Sequence, residues 1–142
     1  MLSKIKMPIQ QNNLYLERYL IPRRSQNDIF VLSQPFKIEW QNDSITVPRG
    51  FATDGTSIPN IARAVLDRVT GIEASVVHDF LYRTRKRSKE FADSLFDAML
   101  TENPHVSWLQ RRLMVSAVRA FGDQSYYGDS IELIVGQESY ND

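Results

Sequence analysis

Apolar side chains follow two rhythms along this chain. In the N-terminal third, Phe36, Ile38 and Trp40 alternate with polar residues, as do Ile45 and Val47 after Gln41-Asn42-Asp43-Ser44. A period of two sends alternate side chains to one face, so the two runs predict a β-hairpin with one buried side. Ile29-Phe30-Val31-Leu32 is a further short apolar run with strand character. The segment from Leu14 to Leu20 fits strand or helix and is read as strand.

From Asn60 the period lengthens to that of helices. Ile61, Val65 and Leu66 predict a short first helix ended by Gly71. Thr70 and Glu73 have capping-box spacing, which predicts a second helix through Val76, Val77, Phe80 and Leu81 to about Arg85. Ser88 is placed to cap a third, in which Ala92, Leu95, Phe96 and Met99 recur at i, i+3, i+4, i+7 before Asn103-Pro104. A fourth would bury the stripe Leu109, Leu113, Ala117 and Phe121 and stop at Gly122, read as a C-terminal cap. The expected fold is one α+β domain over residues 1–122, a small antiparallel β-sheet followed by about four helices.

Charge adds a division that the pattern hides. Seventeen Lys/Arg balance seventeen Asp/Glu, which argues against a polycation working on nucleic acid. Yet Lys and Arg are absent from Ala120 onward, where Asp123, Asp129, Glu132, Glu138 and Asp142 lie. Residues 1–119 therefore carry a net charge of +5 and the remainder −5. The segment 123–142 also holds Tyr126, Tyr127, Ile131, Leu133, Ile134, Val135 and Tyr140, too much apolar material for simple disorder. It is expected to settle on its own body or on a neighbour. No apolar run approaches the roughly 18 residues of a membrane span. The first eight residues lack the continuous apolar segment of a signal peptide. The absence of cysteine excludes disulfides, Cys-based zinc sites and thiol catalysis.

Candidate chemistry lies in three segments: Gly50–Pro59, His78-Asp79-Phe80-Leu81-Tyr82, and Ala92-Asp93-Ser94-Leu95-Phe96. His78 and Tyr82 share a helix face, with Asp79 one step round. If the second and third helices run antiparallel across Thr84–Ser88, Asp93 reaches the His78 ring or the Tyr82 hydroxyl. A carboxylate on one imidazole nitrogen fixes the tautomer and leaves the other as a base or metal ligand. Asp79 and Asp54 would then supply hard oxygen ligands of the kind Ca²⁺ or another divalent cation accepts. The same residues also fit structural roles, a hydrogen-bonded helical His and a surface or capping Asp. Arg83, Arg85, Lys86, Arg87 and Lys89 cluster at a helix C-terminus, where cations favour the dipole. They read as a solvated connection or as a contact for an anionic lipid headgroup through Arg83, Arg85, Lys86 and Arg87, for a nucleic-acid phosphate, or for the acidic tail of a neighbouring copy. No aromatic residue is interleaved among them, which counts against single-stranded nucleic acid.

The order G-F-x-T-D-x-x-S-I-P, H-D-x-L-Y, A-D-x-x-F, then Arg119-Ala120-Phe121-Gly122 resembles a family of uncharacterised small proteins frequent in bacteriophages and prophages, over roughly residues 29–122. That resemblance implies a phage setting without a mechanism. The pair H-D-x-x-Y and D-x-x-x-F is also similar to the catalytic helices of calcium-dependent secretory and parvoviral-capsid phospholipases. This second resemblance implies His78 as general base, Asp79 as calcium ligand, Asp93 orienting His78 and Tyr82 bracing Asp93. The disulfides and glycine-rich calcium loop of the secretory enzymes are absent, and only Thr53-Asp54-Gly55-Thr56 could replace the loop.

The expected function is a virion component or accessory protein of the tail, neck or baseplate region, retaining a hydrolase-like His/Asp site. Its partners would be other virion proteins or copies of itself, in the virion or the bacterial host cytoplasm. The alternatives are an active metal-dependent hydrolase acting on lipid or cell envelope, and a phage regulatory or anti-defence binding protein.

Overall fold

The computed structural model describes residues 9–19, 29–53, 71–123 and 126. Six strands come first: β1 (Gln10–Gln11), β2 (Leu16–Tyr19), β3 (Ile29–Leu32), β4 (Phe36–Trp40), β5 (Asp43–Val47) and β6 (Ala52–Thr53). Three helices follow among the described residues: α1 (Ile72–Thr84), α2 (Lys89–Glu102) and α3 (Trp108–Phe121). The α+β expectation therefore stands. The single sheet becomes two three-stranded antiparallel sheets, ordered β1-β4-β5 and β2-β3-β6. The expected first helix around Ile61–Leu66 lies outside the described residues.

The predicted hairpin is β4–β5. Phe36 pairs with Val47 and Ile38 with Ile45, and all four are buried on one face. Gln41 and Asn42 turn the chain with φ of 52° and 62°, the paired left-handed geometry that matches the twist of a two-residue hairpin. In the second sheet β3 is central. Its register sets Val31 opposite Ala52 and Phe30 opposite Thr53. Gly50, at φ 88°, takes the chain from β5 into β6, where the Leu32 amide donates to the Phe51 carbonyl at 3.0 Å.

Two of the predicted helix starts differ in kind. Ser88 caps α2 as expected, its side chain accepting from the Phe91 amide at 3.1 Å. The Thr70–Glu73 capping box is not the start of α1. The N-cap is Gly71, at φ 76°, with no side-chain cap bond. Glu73 thus falls one position short of the box, although it still sits in the first turn, where the helix dipole favours an acid. An unforeseen capping box opens α3 instead: the Ser107 hydroxyl takes the Gln110 amide and the Gln110 side chain takes the Ser107 amide.

The buried face of α3 also departs from the expected stripe. Met114, Val115, Ala117 and Val118 face the core, while Leu109 and Leu113 are exposed. At 100° per residue those four buried positions span one side of the helix, and Leu109 and Leu113 lie on the other. One core joins the sheets to the helices, with Phe36, Ile38, Val47 and Phe51 meeting Val77, Leu81, Leu95, Phe96 and Val118.

Candidate functional site

Helices α1 and α2 pack against each other across the Arg85–Ser88 connection, and Arg85 closes α1 in the left-handed conformation, φ 52°. This brings His78 and Tyr82 of α1 to Asp93 of α2. His78 Nε2 lies 2.9 Å from Asp93 Oδ1, and the Tyr82 hydroxyl donates to the same oxygen at 2.5 Å. A carboxylate can only accept, so Nε2 carries the imidazole proton. Lys89, one turn before Asp93, donates to its second oxygen at 2.7 Å. Two rings flank the imidazole, Tyr82 at 3.9 Å and Phe96 at 4.9 Å between centroids.

The cluster is closed from water: His78 is 1% exposed, Asp79 1% and Asp93 3%. Burial dominates the His78 shift and lowers its pKa from the ordinary value, against the opposing pull of Asp93, so the ring is neutral. Burial pushes the Asp93 carboxyl up, but hydrogen bonds from His78, Lys89 and Tyr82 together outweigh it and hold the pKa below the usual range. Burial and the bond to an ionised Asp93 both raise the Tyr82 phenol. For Lys89, burial works against the charged form, and Asp93, assisted by Asp123 at 3.4 Å, more than offsets it.

Asp79 belongs to a separate pairing. Thr53 of β6 donates its hydroxyl to Asp79 Oδ2, and Arg83 Nε stands 3.4 Å from Oδ1. Arg83 also donates to the Ala52 carbonyl at 2.8 Å. Asp79, Arg83 and the β6 backbone therefore rivet α1 to the second sheet. A calcium ligand needs oxygens turned toward a shared centre. Those of Asp79 are taken by a hydroxyl and a guanidinium. Among the described residues no group of three or more His, Asp or Glu side chains converges as a metal site. Both Asp79 carboxylate oxygens have protein partners, and Asp54, the second expected ligand, lies outside the described residues.

A third layer comes from the chain after α3. Gly122 ends that helix at φ −81°, so its conformation does not require glycine. Space does. A Cβ there would lie 2.7 Å from the Tyr82 hydroxyl and 2.4 Å from the Val118 carbonyl oxygen. Tyr126 stands edge-on to Tyr82 at 5.2 Å, and its hydroxyl donates to the Arg87 carbonyl at 2.7 Å. Lys89 joins the layers, reaching Asp93, Asp123 and the Arg119 carbonyl.

His78, Tyr82 and Asp93 thus come together as the spacing suggested, whereas Asp79 points to a different neighbour. Thr53, expected in a turn replacing a calcium loop, instead holds Asp79, and Lys89 and Arg83 join the site from the basic cluster. The i, i+4 spacings of Lys89 with Asp93 and of Asp79 with Arg83 were the available signal. The basic cluster is not presented as a patch. Arg83 turns inward, Arg87 forms a two-pronged pair with Asp43 at 2.8 and 2.7 Å, and Lys89 is buried. Only Arg85 and Lys86 of the five are exposed.

Residues 30–118 match the family model described as "Protein of unknown function (DUF1353)". That span runs from β3 to the last turn of α3 and includes the whole His78–Asp93 cluster. No curated protein and no solved structure matches the chain. No described helix is long and apolar enough to cross a membrane.

Proposed function

The chain belongs to the DUF1353 family, whose function is unknown, and from that starting point we propose that it is a bacteriophage virion component or accessory protein working through protein contacts. In this reading the hydrolase-like His/Asp constellation is a buried clamp and performs no hydrolysis. The carrying observation is that His78, Asp93 and Asp79 are buried, with every buried side-chain polar atom among the described residues already partnered. A general base must reach a water or substrate hydroxyl. Here the imidazole sits between Tyr82 and Phe96, and the carboxylate that would orient it is neutralised by Lys89. The phage setting is supported by the order of the three motifs, and contact with partners by the acidic, tyrosine-bearing C-terminal segment.

Two measurements test this. Calcium-dependent hydrolysis of phospholipid vesicles and of soluble esters is expected to be absent in the wild-type chain. Hydrolysis that disappears in His78→Ala while the variant stays folded would replace the clamp reading with the enzyme. Particles purified from a strain carrying the chain in its native genome are expected to contain it at a fixed copy number, read by quantitative immunoblot. Its presence in the lysate but absence from particles and their assembly intermediates would sink the virion assignment.

A further inference from the structure

Three of the four large exposed apolar side chains among the described residues lie on one helix: Trp108 at 61%, Leu109 at 57% and Leu113 at 48%. Taking 100° per residue, positions 108, 109, 112, 113, 116, 119 and 120 occupy one arc of about 140°, and every one of them is exposed. The opposite arc, with Met114, Val115, Ala117 and Val118, is the side buried in the core. The outer arc holds two charged residues, both cationic. Arg112 lies over the Trp108 ring at 5.2 Å and has no carboxylate partner among the described residues. Arg119 is half exposed, 3.8 Å from Asp97. Scattered exposed apolar residues need no explanation, but a contiguous aromatic and leucine face set with arginines is the composition of a protein contact.

We propose that this outer face of α3 is the docking site for the acidic segment Asp129-Ser130-Ile131-Glu132-Leu133-Ile134-Val135 of a second copy of the chain. The two compositions are complementary: the segment brings Asp129 and Glu132, with no Lys or Arg, around four aliphatic side chains. Its acids would meet Arg112 and Arg119, and its aliphatics Trp108, Leu109 and Leu113. The point of departure favours a second copy over the segment's own helix. Tyr126 is held on the inner side, against Tyr82 and the Arg87 carbonyl, whereas the docking arc faces outward. Such a contact joins two different surfaces, so it repeats head to tail and closes into a ring or continues as a filament. The inference deepens the assembly reading and rests on it for the purpose of self-contact.

Sedimentation velocity on the full-length chain tests it, over a roughly hundredfold range of concentration. The wild-type weight-average mass should rise above the single-chain 16.4 kDa and fall back with added salt. Leu109→Asp with Leu113→Asp should hold the chain at single-copy mass. Arg112→Glu with Arg119→Glu should weaken association by about tenfold or more. Asp129→Arg with Glu132→Arg should do the same, and combining the two charge reversals should restore it. A single-copy mass at every concentration overturns the proposal. So does association indifferent to both reversals. Hydrogen exchange separates the remaining alternative: concentration-independent protection of residues 129–135, lost in the Leu109/Leu113 variant, would place the segment on its own helix and overturn the second-copy assignment. Self-association is measured on the isolated chain, so it can fail while the particle immunoblot succeeds, or the reverse.

Discussion

Replacing Asp93 by Asn separates charge from shape in the buried clamp. The amide keeps Oδ1, so the bonds from Tyr82 and His78 survive. Its NH₂ group replaces Oδ2 and turns two N–H donors toward the Lys89 ammonium at 2.7 Å. One charge-assisted hydrogen bond is lost, about 1.5–3 kcal/mol, and a buried cation loses its main counter-charge, for which about 3–5 kcal/mol is typical. Asp123, 3.4 Å away and mostly exposed, retains part of the compensation. The expected cost is therefore about 3 kcal/mol, the low end of the range for a broken buried pair. At this chain length that corresponds to a Tm lower by about 10 °C. Asp93→Ala also orphans Tyr82 and His78 and should cost about 5 kcal/mol. Urea unfolding at constant m-value gives the free energies, and thermal melts the Tm. Lys89→Met combined with Asp93→Asn should cost less than the two single variants summed, by about 1–2 kcal/mol, because the double variant holds neither a buried ammonium without its counter-charge nor a buried carboxylate without its cation. An Asp93→Asn protein within about 1 kcal/mol of wild type, or strictly additive variants, would refute the clamp as an energetic unit.

Other consequences follow from the same geometry. Both lowered pKa values act in one direction. Below the ordinary His value of about 6.5 the unfolded chain takes up a proton that buried His78 resists, and below about 4 the same holds for Asp93. The contribution of these two groups is thus retained above about pH 6.5 and falls in two stages on acidification. His78→Asn should flatten the first stage, and denaturant midpoints measured from pH 7 to 5 read it directly. Gly122→Ala should destabilise by about 1–3 kcal/mol through overpacking. Tyr82→Phe in the same chain should recover part of that by removing the hydroxyl 2.7 Å from the new methyl group. On α3, Leu109→Ala should change stability by less than about 0.5 kcal/mol and Met114→Ala by about 2–5, the reverse of what the sequence stripe through Leu109 and Leu113 implies.

How much of this was legible in the sequence depends on the range of the interaction that decided it. Alternation alone determined the β4–β5 hairpin, because a half-buried antiparallel pair needs no other information to choose its inner face. The helical periods, the Ser88 cap and the Asn103-Pro104 stop were likewise local. Spacing within α1, with an antiparallel partner assumed, put Asp93 within reach of His78 and Tyr82. The sequence could not say whether Asp93, at the margin of a stripe, faced water or core. That depended on α3 and Gly122 closing over the α1–α2 junction, which buries Asp93 beside Lys89. Asp79 shows the same limit. One step round from His78, it meets the edge of the second sheet, and only the crossing of strand and helix supplies Thr53 as its partner. The expected stripe of α3 shares Ala117 with the buried face but takes in Leu109 and Leu113, which are as apolar as the buried Met114 and Val118. Hydrophobicity told the helix that it had faces; the neighbours available on each side decided which face the core took.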